Sequence, residues 1–64
     1  MKHTVKYWKN RKDFNNGNAI VEGDDFLYQP AMDLMLKLYY GDEMFAVEVF
    51  ETISGNTVFH TKDI

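Results

Sequence analysis

One helical segment, residues 30–40, lies between two pairs of β-type segments, and this arrangement constrains the fold more than any other feature. Pro30 suits the first helical position, Gln29 before it is the expected N-cap, and Gly41 is a typical residue after a helix end. The apolar residues follow the i, i+3, i+4, i+7 pattern of a helix packed on a core. The stripe expected to face that core consists of Ala31, Leu34, Met35 and Leu38.

Two strands are predicted before the helix, over residues 4–8 and 19–22, because β-branched and aromatic residues are frequent there. The polar stretch between them contains Asn16-Gly17, a strong hairpin signal, so we expect a turn in that stretch. The run Gly23-Asp24-Asp25 is expected to close the second strand.

Two further strands are predicted after the helix, over residues 44–53 and 57–61, joined by the turn residues 54–56. In the first of these strands, Phe45, Val47 and Val49 are expected on one face and Glu48 and Phe50 on the other. The register of this hairpin stays open, because turns at 54–55 and at 55–56 would pair different residues.

The element order ββαββ predicts an α+β fold, with a small antiparallel sheet of about four strands and one helix packed on one face. The 64 residues are expected to form a single domain, 1–64, whose stability comes from packing because the chain has no cysteine. The longest apolar run, residues 44–47, is too short for a signal peptide or a membrane span. We therefore expect a cytoplasmic protein encoded by an intact small reading frame, without a membrane interaction.

Charge is distributed unevenly, since five of the seven basic residues lie in the first twelve positions although the net charge is −3. Interleaved with aromatic residues, this segment has the character of a nucleic-acid-binding strand, with cations for phosphates and a ring for bases. The alternative is that the lysines are the solvated edge of a small sheet. The candidate nucleic-acid-binding residues are Lys6, Trp8, Lys9, Arg11 and Lys12.

The apolar surface of the predicted helix is wider than packing on one sheet requires. It covers roughly 240° at about 100° per residue, whereas a surface helix usually needs little more than about 100°. Either residues 25–28 wrap over the surplus, or the surplus is a docking face for another protein or for a second copy in a homodimer. The residues of the candidate docking face are Met32, Leu36, Tyr39 and Tyr40.

Catalytic and metal-binding patterns are absent from the sequence. Ser54 lies in a turn without a nucleophile motif, and neither His3 nor His60 has a second ligand at metal-binding spacing. The acidic clusters adjoin glycines at element ends, where acids are common in turns. We therefore expect no enzyme activity, no metal, no cofactor and no small-molecule substrate.

The function that these patterns favour is a non-enzymatic protein-binding module. Its size and acidity resemble, as a type, the stoichiometric inhibitors and regulators that viruses and mobile elements encode. A nucleic-acid-binding protein using the N-terminal strand is the alternative.

Overall fold

Four antiparallel strands form one sheet in the computed structural model, which describes residues 1–63. Ile64, the last residue of the predicted domain, lies outside the described residues. The strands are β1 (His3–Trp8), β2 (Ile20–Phe26), β3 (Ala46–Glu51) and β4 (Thr57–His60). The helices are α1 (Arg11–Asn16) and α2 (Tyr28–Leu36); α2 continues into a π-helical turn (Lys37–Gly41), and a 3-10 turn (Thr61–Asp63) follows β4. The predicted α+β class, with a four-stranded antiparallel sheet and one main helix, is confirmed.

The first strand occupies the centre of the sheet, whose strand order is β2-β1-β3-β4. It pairs with β2 on one side, for example Tyr7 with Ile20, and with β3 on the other, where Tyr7 is opposite Val47. The interpretation of the N-terminal lysines as the solvated edge of the sheet is therefore wrong, because both backbone edges of β1 are hydrogen-bonded to neighbours.

A short helix, α1, replaces the hairpin turn predicted between the first two strands. The side chain of Asn10 accepts a hydrogen bond from the backbone N–H of Asp13 at 2.8 Å, which caps the start of the helix. Gly17 ends it with φ 73°, the left-handed geometry that glycine adopts without strain. Asn16-Gly17 thus belongs to a helix C-terminus, the other common use of this pair.

Strand β2 is longer than predicted and runs through the glycine-acid stretch that was expected to close it. Its register with β1 shifts between the pairs Val5–Glu22 and His3–Phe26, so β2 contains a bulge. Gly23, with φ 66°, lies in this bulge and supplies the backbone geometry that L side chains rarely adopt.

The main helix begins at Tyr28, two residues earlier than predicted, and Leu27 rather than Gln29 is its N-cap. Pro30 is consequently the third helical residue. It is tolerated there because the first backbone N–H groups of a helix have no intrahelical acceptor. The last turn is π-helical, with Asp42 N bonded to Lys37 O at 2.9 Å.

The second hairpin is present, but its first strand is shorter than predicted at both ends. It begins at Ala46 rather than at residue 44, and Thr52 and Ile53 belong to the turn. Thr61, predicted to end the last strand, lies in the 3-10 turn. The pairs Glu48–His60 and Val49–Phe59 establish the register that the sequence left open.

Each face of the sheet contributes to a separate apolar cluster. On the α2 side, the helix residues Ala31, Met35 and Leu38 pack on four strand residues, and this core consists of those three with Val5, Tyr7, Val47 and Val49. Near the end of β1, Trp8 contacts Phe14 of α1 with ring centroids 5.0 Å apart. Phe45 lies 5.6 Å from Phe14 and belongs to this second cluster, so its predicted placement beside Val47 is wrong.

Candidate interaction surfaces

The predicted docking residues divide into an exposed pair and a half-buried pair. The side chains of Leu36 and Tyr40 are 47% and 66% exposed. Met32 and Tyr39 are half-buried and pack against the core. We call these four residues the outer helix surface. The predicted docking face is therefore partly used for packing, and its open part centres on Leu36 and Tyr40.

The π-helical turn shapes one end of the outer helix surface. It includes both tyrosines, and the rings of Tyr39 and Tyr40 contact edge to face with centroids 5.0 Å apart. This contact orients the exposed ring of Tyr40 beside a half-buried neighbour. Tyrosine offers an apolar ring and a polar hydroxyl together, which is why it is frequent at protein interfaces.

Residues 25–28 do not cover the open part of this surface. Leu27 and Tyr28 are themselves 63% and 51% exposed. The ring of Tyr28 packs on His3, with centroids 5.7 Å apart, at the start of β1. Coverage by residues 25–28 therefore does not account for the whole apolar arc, because Leu36 and Tyr40 stay exposed to solvent.

Tyr7, a buried residue of the core, is hydrogen-bonded to an acidic residue of the neighbouring strand. The hydroxyl of Tyr7, on the α2 side of the sheet, donates a hydrogen bond of 3.1 Å to a carboxylate oxygen of Glu22 on β2. Burial of the ring raises the pKa of Tyr7 above its usual value of 10.0, and the bond to Glu22 and the negative charges of Glu22 and Asp42 raise it further. The phenol therefore stays protonated and serves as a donor.

The candidate nucleic-acid-binding residues do not form one open surface. Trp8 is buried, stacked on His60 with centroids 5.7 Å apart, and its Nε1 has no hydrogen-bond partner among the described residues. Lys6 is half-buried and pairs with Glu48. The remaining three residues of the set, Lys9, Arg11 and Lys12, are exposed in and before α1.

Sequence reasoning missed Lys62, which the structure brings to the same end of the sheet. Its Nζ lies 3.6 Å from the centroid of the Phe45 ring, and the Arg11 guanidinium carbon lies 5.8 Å from the same centroid. The strand order explains this placement, and no local pattern in the sequence indicates that order. With β3 between β1 and β4, the C-terminal ends of β1 and β4 lie at one end of the sheet.

The described part of the chain contains neither a metal-binding cluster nor a helix that could cross a membrane. Among the described side chains of residues 1–62, no group of three or more histidine, aspartate or glutamate residues is placed to hold a metal ion. None of the helices in this range has the length and apolar character that crossing a membrane requires.

No protein-family model, curated protein or solved structure matches this chain.

Proposed function

We propose that this protein is a non-enzymatic binding module that docks onto another protein, or onto its own copy as a homodimer, through the outer helix surface. The observation that carries the proposal is the exposure of Leu36 and Tyr40 beside the half-buried Met32 and Tyr39. An exposed leucine alone is ordinary on a protein surface. A helix whose apolar arc continues from the core to solvent is typical of helix-mediated recognition.

The side chains of the outer helix surface suit a partner contact. Met32 adapts its shape to a neighbour, and the tyrosines supply rigid rings at low conformational cost. The flanking polar residues, Gln29 and Asp33, are linked by a hydrogen bond of 2.9 Å between Nε2 and Oδ1. They would form the polar rim that surrounds the apolar centre of a typical interface.

The biological role that we propose for such a module is a stoichiometric inhibitor or regulator acting in the cytoplasm. The role requires one accessible docking surface on a small stable scaffold and no chemical step. Nucleic-acid binding stays a prediction, and because Trp8 is enclosed it would have to proceed without the base stacking expected from the sequence.

The test introduces charge into the open part of the surface. Leu36→Glu and Tyr40→Glu are expected to weaken association by about tenfold or more, because each places a carboxylate in an apolar contact. Ile53→Glu is the matched control. Ile53 is 96% exposed in the β3–β4 turn, so this substitution adds the same charge away from the outer helix surface.

Two measurements read out the result. Analytical ultracentrifugation of the pure protein detects self-association, and capture from the lysate of the encoding organism, followed by reconstitution with the purified candidate, detects another protein. A monomeric wild type with no reconstituted partner would refute the proposal. So would association that Leu36→Glu and Tyr40→Glu reduce no more than Ile53→Glu does.

A further inference from the structure

Two cations from distant parts of the chain share one aromatic ring at the end of the sheet opposite the start of β1. The ammonium of Lys62 lies over the ring of Phe45 at 3.6 Å, and it is also 5.9 Å from the centroid of Phe14. The guanidinium of Arg11 approaches Phe45 at 5.8 Å. With the exposed Lys9 and Lys12 of the adjoining segment, these cations form what we call the basic end, which consists of Lys9, Arg11, Lys12 and Lys62.

The basic end is not neutralised by carboxylates of the described side chains. Among the described side chains of residues 1–62, Lys6 forms an ion pair with Glu48, and none of the four cations of the basic end forms one. Asp13 is the one acid within α1. Like charges held near one ring repel each other, although the ring faces reduce the repulsion. An anion bound between them would lower this repulsion, so the cluster favours a negatively charged ligand.

The aromatic rings of this end are arranged in a way that disfavours a nucleic acid. Bases bind to single-strand-binding proteins largely by stacking on open aromatic faces. Here a face of Phe45 is taken by Lys62, and Trp8 is enclosed by Lys6, Phe14 and His60. A nucleic acid would therefore be held by its phosphates alone, without the stacking that supplies much of the affinity for single strands.

An acidic peptide matches the same chemistry better. A carboxylate accepts two parallel hydrogen bonds from one guanidinium, so Arg11 suits an aspartate or glutamate side chain. A short acidic segment also needs no stacking platform. From this charge complementarity we infer that the basic end binds an aspartate- or glutamate-rich segment of a partner protein.

This site is separate from the outer helix surface. The cluster formed by Trp8, Phe14 and Phe45 lies on the sheet face opposite α2, whereas Leu36 and Tyr40 lie on the outside of α2. Substitutions at one surface do not remove residues of the other. The failure of one proposal would consequently leave the other standing.

The experiment titrates the full chain, labelled with ¹⁵N, with a short poly-glutamate peptide at low and high salt. The indole N–H of Trp8 and the backbone amides of Arg11 and Lys62 report binding by their chemical shifts. The expected result is saturable binding at low salt. Arg11→Gln and Lys62→Gln should each raise the Kd up to about fivefold, the range for an exposed ion pair. The controls Lys2→Gln and Lys37→Gln remove exposed cations elsewhere and should leave the Kd within about twofold.

A charge-matched oligothymidylate and inorganic phosphate are the comparison ligands, at the same salt concentration. Tighter binding of the oligothymidylate than of poly-glutamate would overturn the inference in favour of a nucleic acid. The absence of poly-glutamate binding at low salt would overturn it outright. Equal losses in the control and test variants would also overturn it, because they would show attraction by net charge without a defined site.

Discussion

The amino group of Lys6 lies 3.5 Å from a carboxylate oxygen of Glu48, its direct cross-strand partner between β1 and β3. The same carboxylate accepts a hydrogen bond from the hydroxyl of Thr57 on β4. Lys6 also lies near the rings of Trp8 and Phe50, at 5.4 and 5.8 Å from their centroids. One charged pair in a half-buried setting thus joins three neighbouring strands on the face opposite α2.

This pair is expected to contribute a measurable coupling energy. In a double-mutant cycle with Lys6→Gln and Glu48→Gln, the coupling in the free energy of unfolding should be about 0.5–1 kcal/mol. Because salt screens a partly exposed pair, the coupling should shrink in concentrated sodium chloride. Urea unfolding of the four proteins measures it. Strictly additive effects of the two substitutions would contradict the expectation.

Gly23 is expected to be the glycine least tolerant of alanine. A Cβ built there would overlap Cε2 of the Phe26 ring and lie 2.9 Å from its Cδ2, at a residue with φ 66°. Gly55 has a similar φ of 77° but nothing within 4 Å of its Cβ position, so Gly55→Ala isolates the backbone strain. We expect Gly55→Ala to lower the free energy of unfolding by about 1 kcal/mol and Gly23→Ala by about 2–3 kcal/mol. Equal losses for the two variants, measured by urea unfolding, would show that the Phe26 ring moves aside freely.

Burial of Tyr7, together with its hydrogen bond to Glu22, predicts a loss of stability in alkali. The pKa of Tyr7 is higher in the folded protein than its ordinary value of 10.0, so its contribution is fully present below about pH 10 and is lost as the pH rises through the folded value. Tyr7→Phe removes this dependence. The difference in free energy of unfolding between wild type and Tyr7→Phe should therefore decrease from pH 9 to pH 11. The reason is that the unfolded chain loses the Tyr7 proton at a lower pH than the folded protein does. A constant difference across this range would contradict the assignment.

Two leucines of the α2 region should respond very differently to truncation. Leu38 is 5% exposed within the core, whereas Leu36 is 47% exposed on the outer helix surface. Leu38→Ala is expected to lower the free energy of unfolding by about 2–4 kcal/mol, through lost burial and a cavity. Leu36→Ala should change it by no more than about 0.5–1 kcal/mol. The reverse order in thermal or urea unfolding would mean that the helix presents another face to the sheet.

The cap at Asn10 is expected to support α1. Asn10→Ala removes the acceptor of the 2.8 Å bond from Asp13 N and should reduce the free energy of unfolding by about 1 kcal/mol. Asn15→Ala, at an exposed position inside the same helix, should be neutral or slightly stabilising because alanine favours helices. If both variants unfold at the same urea concentration, the cap contributes nothing.

Local patterns predicted the element types well because they reflect which face of an element is buried. Alternation identified Val5, Tyr7, Val47 and Val49 as strand residues. Of the predicted helical stripe, Ala31, Met35 and Leu38 are buried against them, and Leu34 is partly buried against the same core. The pair Asn16-Gly17 failed as a hairpin signal, because the same left-handed glycine that closes a tight turn also ends a helix. The cap of Asn10 was the local sign of the second outcome.

The strand order and the exposure of individual side chains depend on contacts between residues that are distant in the sequence. Nothing near β1 in the sequence indicates that it pairs with β3, so the central position of Lys6 and the enclosure of Trp8 could not be inferred locally. The same holds for Lys62, which reaches Phe45 only because β4 lies beside β3. The candidate docking face was partly predictable, since its four residues follow helical spacing. Their division into exposed and half-buried pairs required the packed structure.

The central position of β1 also sets an order of events during synthesis on the ribosome. Its ladder with β2 can form once the chain up to Phe26 has emerged from the ribosome, but Thr4 pairs with Phe50 and His3 with Glu51. Pairing of residues so far apart in the chain is slow, because a long loop must close first. A nascent chain that ends before Phe50 therefore exposes one unpaired edge of β1. Completion of the sheet is expected to be among the last steps of folding.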